Sequence, residues 1–315
     1  MYKNAVTLTD FLLEDERKND KTTLGLTILL HQIENVTKII AAHVKASGLV
    51  DIIGATGKTN VFGDQVQKLD EFSNKLLFDM LKSTGQVHAL VSEEMEKEVI
   101  VENSKGDYIV YFDPLDGSSN VESNIPIGTI FSIYHKDGGL LQKGNKQIAA
   151  GYVLYGSSVI FVYTSGSGVN GFTLDPGIGA FLLSHPDIKI PKEGKIYSIN
   201  EAYEPTFDRK LQNYLKNLKN GDSVARYVGT LAADAHRTFI KGGIFLHPAS
   251  SKNPEGKLRL MLEVNPFAFL TFQAGGIALG ANNKNPLSIT PKHIHVRSPF
   301  VMGSPKNAKA YLSFQ

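Results

Sequence analysis

The sequence contains no cysteine and no tryptophan in 315 residues, and neither sign of charge dominates it. Without cysteine the chain has no disulfide, no thiolate metal ligand, no catalytic thiol and no thiol redox switch, which fits a reducing compartment. Its 33 basic and 31 acidic residues give a formal charge of +2. This balance does not favour nucleic acid or an anionic membrane as a partner, so any basic site must be local.

Long hydrophobic runs are also missing. The most apolar long window, residues 258–281, contains Arg259, Glu263 and Gln273 and is too polar to span a membrane. Residues 1–18 have neither the apolar core and cleavage site of a signal peptide nor the acid-free composition of a transit peptide. We therefore expect a cytoplasmic protein with no membrane partner.

The chain is long enough for about two globular domains, and 42% of its residues are hydrophobic and 20% charged. Apolar residues at helical spacing predict helices over residues 23–46 and 66–82. Between them, residues 49–63 are rich in glycine and threonine, which predicts a loop. Short β-rich runs follow from residue 87 onwards and predict a large sheet.

Two prolines and several charges in residues 184–194 indicate a domain boundary. We place an N-terminal domain at residues 1–187 and a C-terminal domain at residues 188–315. In the second domain, helical patterns over 207–219 and 230–240 alternate with β-rich runs. This alternation predicts an α/β domain.

The segment KLRLMLEV, residues 257–264, has the alternation of charged and apolar residues that is typical of a strand. A side-chain period of two puts its leucines and Val264 on one face and Arg259 and Glu263 on the other. That second face is either solvated, or presents an acid for a metal at one end and cations for phosphate toward the other. A helix should follow, with Asn265 as its cap and a proline in its first turn.

The stretch YIVYFDPLDGSSN, residues 108–120, combines a strand with a turn that carries two carboxylates. Five β-forming residues predict a buried strand. Pro114 cannot donate to the ladder, so Asp113 and Asp116 should lie at and just beyond the carboxyl end of the strand, where ligands of open α/β sheets gather. Two carboxylates three residues apart can converge on a hard cation, with the carbonyl of Leu115 as a third oxygen ligand.

Gly117, Ser118 and Ser119 follow with successive backbone amides and little side-chain bulk, which are the features of a phosphate-binding turn. The alternative is an ordinary β-turn, since proline, aspartate and glycine are common turn residues. If the turn binds phosphate, the phosphate would lie next to the metal held by Asp113 and Asp116.

Further acidic residues favour the metal site, because their mutual repulsion would require a divalent cation if several of them converged. They are Glu93 and Glu94 after a β-rich run, Glu263 in the second domain, and Asp64 and Asp70 beside the glycine-rich loop. The histidines on predicted helices, His31, His43 and His236, do not group as metal ligands, and we interpret them as structural.

DPLDGSSN preceded by a Glu-Glu pair resembles the metal-dependent sugar and inositol phosphatase superfamily. The strings GDQVQKLDEFSN, YSINEAY, ARYVGTLAADAHRTF, GGIFLHPA, KLRLMLEVNPFAF and a C-terminal GSP resemble class I fructose-1,6-bisphosphatases over residues 5–312. The inositol branch has a Trp-Asp pair in a later motif, and this chain has no tryptophan. The resemblance implies a layered sugar-phosphatase fold of the α/β class, with a large mixed sheet in the first of two α/β domains and a smaller mixed sheet in the second.

The same resemblance implies metal-dependent hydrolysis of the 1-phosphate of a ketose bisphosphate, with fructose 1,6-bisphosphate as the first candidate. Two or three Mg²⁺ or Mn²⁺ ions would be held by Asp64, Glu93, Asp113, Asp116, Glu263 and the carbonyl of Leu115. Glu94 and Asp70 would orient and deprotonate the attacking water. Arg259 and the turn of Gly117, Ser118 and Ser119 would steady the transferred phosphoryl group.

The resemblance further implies a site for the sugar and its distal phosphate. Its residues would be Asn200, Tyr203, Tyr227, His247 and Lys257, joined by Arg226 from a neighbouring subunit of a homotetramer. From the spacing alone, the two tyrosines are equally well explained as core aromatics, and the arginine as a surface cation.

The chain departs from the family pattern at two places. AMP-inhibited members bind the nucleotide phosphate with a Gly-Glu-Met-Thr turn, a Lys-Tyr pair and an arginine. Here the turn is Leu-Gly-Leu-Thr at residues 24–27, the pair is Asp107 and Tyr108, and the arginine position is His135, so we expect weak or absent AMP inhibition.

The second departure is His247, which stands where the family has a tyrosine that contacts the 6-phosphate. The string SNIPIGTIF after the metal motif also resembles sedoheptulose-1,7-bisphosphatases. The seven-carbon bisphosphate is therefore an alternative substrate. A catalytically silent binding protein is a further alternative, but a missing metal ligand would favour it, and every expected ligand is present.

Overall fold

The helices and strands are those of a computed structural model that describes residues 5–19, 22–49, 55–59 and 65–314. The helices are α1 Leu8–Lys18, α2 Leu24–Lys45, α3 Lys68–Ser83, α4 Arg209–Asn220, α5 Leu231–Lys241, α6 Asn265–Gln273 and α7 Pro305–Leu312. The strands of the first domain are β1 Ala55–Thr59, β2 Gln65–Gln67, β3 Val87–Ser92, β4 Val99–Ile100, β5 Tyr108–Asp116, β6 Ile127–His135, β7 Ala149–Tyr155, β8 Val159–Thr164, β9 Asn170–Asp175 and β10 Ala180–His185. Those of the second are β11 Ile196–Ser198, β12 Val224–Ala225, β13 Ile244–His247, β14 Leu258–Arg259, β15 Ile277–Leu279, β16 Arg297–Ser298 and β17 Phe300–Gly303.

Two mixed sheets form the frame of the molecule. The larger has eight strands in the order β10-β9-β8-β7-β6-β5-β3-β4, and only its β3–β5 pair is parallel. The smaller has the order β12-β11-β13-β17-β15, with β11 parallel to both of its neighbours. Two further strand pairs, β1–β2 and β14–β16, stand apart from these sheets. The expected α/β fold with a large and a smaller mixed sheet is confirmed.

Helices and sheets alternate in layers because each sheet buries both faces. Helices α1 to α3 cover one face of the large sheet, where Leu30 packs in one cluster with Phe131. The other face, with Ile130 and Tyr152, packs against α5, α6 and the small sheet. Helices α4 and α7 cover the outer face of the small sheet. Helices α5 and α6 therefore lie between the two sheets.

The helices predicted from apolar spacing are confirmed, because the apolar residues at that spacing form the buried face of each helix. The prediction over 23–46 corresponds to α2, where the hydroxyl of Thr23 caps the helix by accepting from the amide of Leu26 at 3.3 Å. The other predicted helices correspond to α3, α4 and α5, with ends that differ by one or two residues. The division between residues 187 and 188 stays a prediction, although β10 and β11 fall on its two sides.

The loop predicted over 49–63 is wrong in its described part, since residues 55–59 form strand β1. Strand β2 pairs with it in antiparallel fashion and supplies the backbone partners that a glycine-rich segment lacks on its own. Residues 50–54 and 60–64 lie outside the described part of the chain.

The strand predicted over 257–264 is also wrong beyond its first residues. Strand β14 ends at Arg259, and residues 260–264 form a π-helical segment that continues into α6. Consequently the carboxylate of Glu263 accepts from the amide of Arg259 at 2.5 Å, a contact between residues i and i+4 that an extended strand cannot make. Asn265 has helical backbone angles and lies inside this continuous turn instead of capping it.

Candidate active site

Three carboxylates from both domains converge at the end of β5. Asp113, Asp116 and Glu263 each offer an oxygen within 4.8 Å of the others. Asp113 and Glu263 are buried and Asp116 is partly exposed. Burial and the neighbouring negative charges raise the pKa of Asp113 and Glu263 well above their usual values, and that of Asp116 to about 7. Oxygen ligands crowded in this way fit a hard divalent cation, which would relieve their repulsion.

The backbone of β5 brings its two carboxylates to the same place. The pairing of β5 with β6 is irregular between Asp113 and Asp116, where Pro114 lacks an amide donor. The amide of Leu115 donates to the Asp113 carboxylate at 3.0 Å, so this part of the chain folds back on the first acid. The strand nevertheless extends to Asp116, further than the sequence predicted.

Asp116 is held from the second domain by the first turn of α5. Its two carboxylate oxygens accept from the amides of Leu231 at 3.3 Å and Ala232 at 2.7 Å. Burial raises the pKa of Asp116, whereas these two donors act in the opposite direction. Amides at a helix N-terminus favour a negative charge, so the acid is fixed in position and partly compensated.

Glu93 and Arg259 form a buried ion pair at the same cluster. Glu93 follows β3, and its amide donates to the carbonyl of Phe112 at 3.1 Å. Its carboxylate accepts from the guanidinium of Arg259, which is almost entirely buried. The charge of Glu93 also raises the pKa values of Asp113, Asp116 and Glu263. The predicted site thus has one arginine and four acids in electrostatic contact.

Asp70 and Glu94, the residues expected to act on water, are each held by a serine. The Ser118 hydroxyl donates to the buried carboxylate of Asp70 at 2.9 Å, which links α3 to the phosphate-binding turn. The amide of Glu94 donates to the hydroxyl of Ser92 at 3.2 Å, and that hydroxyl donates to the side chain of Asn74 at 2.6 Å. Sequence reasoning missed Ser92 and Asn74, although Asn74 lies four residues after Asp70, on the same face of α3.

The geometry at residue 117, in the predicted phosphate-binding turn, requires a glycine. Gly117 has φ = +78°, and a β-carbon there would lie 2.6 Å from the hydroxyl oxygen of Thr230. Ser118 and Ser119 begin a short 3-10 helix over Ser118–Ser123. First-turn amides have no partner within their own helix, so this turn has the donors that an anion needs.

A pocket of about 150 Å³, which we call the sugar pocket after its predicted role, is formed by residues between 199 and 257. Of the residues predicted to bind the sugar and its distal phosphate, all but Arg226 line this pocket. They are Asn200, Tyr203, Tyr227, His247 and Lys257. The Lys257 ammonium lies 5.2 Å from the ring centre of Tyr203, and both tyrosines are more than two-fifths exposed. They are therefore not core aromatics. Burial and the charge of Lys257 lower the pKa of His247 to about 4, so its ring is neutral at pH 7.

Comparison with known proteins identifies the family of the chain. The family described as "Fructose-1-6-bisphosphatase, N-terminal domain" matches residues 6–186, and "Fructose-1-6-bisphosphatase, C-terminal domain" matches residues 190–315. The chain belongs to the fructose-1,6-bisphosphatase family.

Relatives in this family match the chain over nearly its whole length. The class 1 fructose-1,6-bisphosphatase of Sulfurihydrogenibium sp. is 50% identical, over 96% of this chain and 95% of the relative. The class 1 enzyme of Persephonella marina is 49% identical, over 100% and 99%. The crystal structure of Leishmania major fructose-1,6-bisphosphatase in holo form superposes with a TM-score of 0.93 at 36% identity, covering 99% of both chains. The chain is thus a sugar-bisphosphate phosphatase of the hydrolase class.

One predicted residue of this phosphatase lies apart from the pocket. Arg226 is exposed, and its guanidinium donates to the carbonyl of Ala225 at 2.9 Å instead of entering the sugar pocket. Its expected role in a neighbouring subunit stays a prediction. Asp64, a predicted metal ligand, lies outside the described residues.

The region expected to bind AMP in other members of the fructose-1,6-bisphosphatase family has its own contacts here. The Thr23 hydroxyl, which caps α2, is hydrogen-bonded to the Tyr108 hydroxyl. Asp107, at the position where the resemblance gives AMP-inhibited members a lysine, forms an ion pair with Lys136 at 2.7 Å. The nearby cation is therefore already paired with an acid.

Among the described residues, no helix is both long and apolar enough to cross a lipid bilayer. The expected cytoplasmic location stays a prediction.

Proposed function

We propose that the chain hydrolyses the 1-phosphate of fructose 1,6-bisphosphate in a reaction that depends on Mg²⁺ or Mn²⁺ and yields fructose 6-phosphate and phosphate. The observation that carries the proposal is the cluster of Asp113, Asp116 and Glu263, whose oxygens lie within 4.8 Å of one another beside a phosphate-sized turn. The names of the relatives support the choice of sugar.

The acidic cluster accounts for the metal requirement. Asp113, Asp116, Glu263 and Glu93 would hold the cations, together with the Leu115 carbonyl and Asp64, and we propose two or three ions per active site. Such ions supply Lewis-acid polarisation of the phosphoryl oxygens and neutralise their charge. The raised pKa values of the buried acids fit this role, because a divalent cation would stabilise their charged forms.

The protein groups around the cluster orient the nucleophile and stabilise the phosphoryl group. Glu94 and Asp70 would position the attacking water and take its proton. The Ser118 hydroxyl donates to Asp70 and so links the proposed base directly to the proposed phosphate-binding turn. Arg259, fixed by its ion pair with Glu93, would stabilise the negative charge on the transferred group.

The sugar pocket would bind the rest of the substrate. Asn200, Tyr203, Tyr227 and Lys257 line it and combine an ammonium, an amide and two phenols, the donors that a sugar phosphate requires. Arg226 would reach the distal phosphate of a neighbouring subunit in a homotetramer, as the resemblance implies.

His247 favours a second candidate substrate, sedoheptulose 1,7-bisphosphate. Its side chain is shorter than the tyrosine of fructose-1,6-bisphosphatases and leaves space beside the distal phosphate. A seven-carbon ketose carries that phosphate one carbon further out and would use the space.

The test is phosphate release from both ketose bisphosphates, measured side by side with Mg²⁺. We expect turnover of fructose 1,6-bisphosphate that excess chelator abolishes. Release from neither substrate, or equal release with and without chelator, would overturn the proposal. The variant Lys257→Ala is a pocket-side control, because it should raise KM for the bisphosphates and leave the metal requirement intact.

A further inference from the structure

Asp234 on α5 is a fully buried carboxylate with no part in the site as described so far. Its oxygens accept from the amides of Val228 at 3.1 Å and Gly229 at 3.0 Å, and from the hydroxyl of Ser198 at 2.9 Å. The guanidinium of Arg237 also donates to it at 2.7 Å. A buried charge with this many donors is fully compensated and rigidly held.

The backbone and hydroxyl groups that Asp234 binds are adjacent in the chain to residues that form two walls of the sugar pocket. Val228 and Gly229 follow Tyr227 directly, and Ser198 lies two residues before Asn200. Arg237 reinforces the first wall, since the same guanidinium nitrogen donates to the carbonyl of Arg226 at 2.7 Å. Asp234 therefore ties the two wall segments to each other from behind the pocket.

The same stretch of chain continues into the metal centre. Thr230 precedes α5, and its hydroxyl donates to the carbonyl of Pro126 at 2.8 Å and accepts from Asn120 at 2.8 Å. The next two amides hold the carboxylate of Asp116. Residues 226–232, which we call the connecting segment, thus run from the sugar pocket to a predicted metal ligand.

We propose that Asp234 is a positioning residue that holds the connecting segment, so that Tyr227 is correctly placed for the sugar and the backbone amides of the segment are correctly placed for Asp116. The inference rests on the proposed function, because it assigns the pocket to the sugar end of the substrate. Asp234 itself has no contact with the pocket and acts through the backbone of the segment.

The decisive variant is Asp234→Asn, which keeps the shape of the side chain and brings an amide donor against the donors of Val228, Gly229 and Arg237. We expect the Kd for fructose 6-phosphate, measured by calorimetry in the absence of turnover, to rise about tenfold. KM for the bisphosphate should rise by a similar factor. A smaller drop in kcat should accompany these changes, because Asp116 is unchanged and only the amides of Leu231 and Ala232 that hold it would be displaced.

Glu34→Gln is the matched control, since Glu34 is 3% exposed on α2 and paired with Lys38 at 2.6 Å, far along the chain from the site. It should lower the melting temperature without changing the Kd for fructose 6-phosphate. Ser198→Ala removes one donor to Asp234 and should raise that Kd about threefold, which keeps the test valid if Asp234→Asn does not fold.

The outcomes separate the two proposals. Unchanged sugar binding in both Asp234→Asn and Ser198→Ala, with an active wild type, would overturn the positioning role. An equal loss of sugar binding in Glu34→Gln would assign the effect to general destabilisation and overturn it as well. A wild type that neither hydrolyses the bisphosphate nor binds fructose 6-phosphate would overturn the proposed function instead.

Discussion

Glu263 is a residue whose predicted and observed local structures differ. In the sequence it is an acid on a strand 147 residues after Asp116, and in the structure a π-helical turn points its carboxylate at Asp113 and Asp116. Burial and the charge of Glu93 raise its pKa, while Arg259 opposes this shift. Without a cation, the charged form of Glu263 therefore lowers the stability of the folded protein.

This effect on stability predicts the behaviour of Glu263→Gln and Asp116→Asn. Each should lower turnover on the order of 100-fold or more, because the cation site loses an anionic ligand. The melting temperature without metal should stay the same or rise, since the substitution relieves repulsion. Parallel kinetics and thermal melts in chelator test both parts, and a variant with wild-type turnover would contradict the assignment.

His247 predicts a substrate preference. We expect measurable turnover of sedoheptulose 1,7-bisphosphate by the wild type. His247→Tyr should shift the ratio of specificity constants toward fructose 1,6-bisphosphate by about 1–3 kcal/mol, the scale of one methylene-sized mismatch.

Competition between the two sugars, in wild type and variant, measures the ratio directly. The lowered pKa of His247 makes the ring neutral at pH 7, so the shift should come from shape and hydrogen bonding and persist from pH 6 to pH 8. No seven-carbon turnover, or a ratio that does not move, would show that this residue does not set chain length.

At the scale of elements, the start of α2 predicts the response to AMP. Thr23 caps the helix and is bonded to Tyr108, and the nearby cation Lys136 is paired with Asp107. Nucleotide phosphates gain most of their affinity from charge-assisted bonds, so this end of the helix offers little to AMP. We expect weak or absent inhibition, and an inhibition constant in the low micromolar range would refute it. Asp107→Lys combined with His135→Arg is the gain-of-inhibition variant.

Segment 257–264 shows what element prediction from the sequence misses. Charged and apolar residues alternate at the start of this segment as they do in a strand. Met261 and Leu262 are adjacent and both buried in one cluster with Tyr111 and Tyr134, whereas a strand would direct neighbouring side chains to opposite faces. The local pattern of charged and apolar residues does not distinguish this buried helical turn from a strand.

At the scale of the whole molecule, His236 predicts a pH dependence of stability. Its ring contacts the Tyr152 hydroxyl at 2.8 Å in the layer between the sheets, and burial and His185 lower its pKa to about 4. Below about pH 6.5, the usual pKa of histidine, the unfolded chain binds a proton at His236 and the folded chain does not. The free energy of unfolding therefore decreases as the pH is lowered. The loss between pH 7 and pH 5 should be about 2 kcal/mol.

Denaturant titrations of wild type and His236→Gln at pH 8 and pH 5 measure this contribution. At pH 8 the ring is neutral in both states, so the variant reports only the lost packing. The further drop at pH 5 should be smaller in the variant than in the wild type, and equal drops would contradict the assignment.

The sequence alone determined the local features of this protein. Apolar periods placed α2 to α5, and the run ending in Asp113-Pro-Leu-Asp116 identified the acidic turn. These features depend on neighbours within a few residues, namely side-chain direction, a missing proline donor and a glycine that must adopt positive φ. The resemblance of the motifs then indicated the family and the pocket residues.

Only the tertiary structure decided how distant groups meet. The layering of two sheets brings Glu263 to Asp116, the first turn of α5 to that same acid, and Ser198 to Asp234. Ser92 and Asp234 have no local sequence signal of function, because their hydrogen bonds join them to groups on other elements. Local patterns report which face of an element is buried, whereas the identity of the partner depends on how the layers pack.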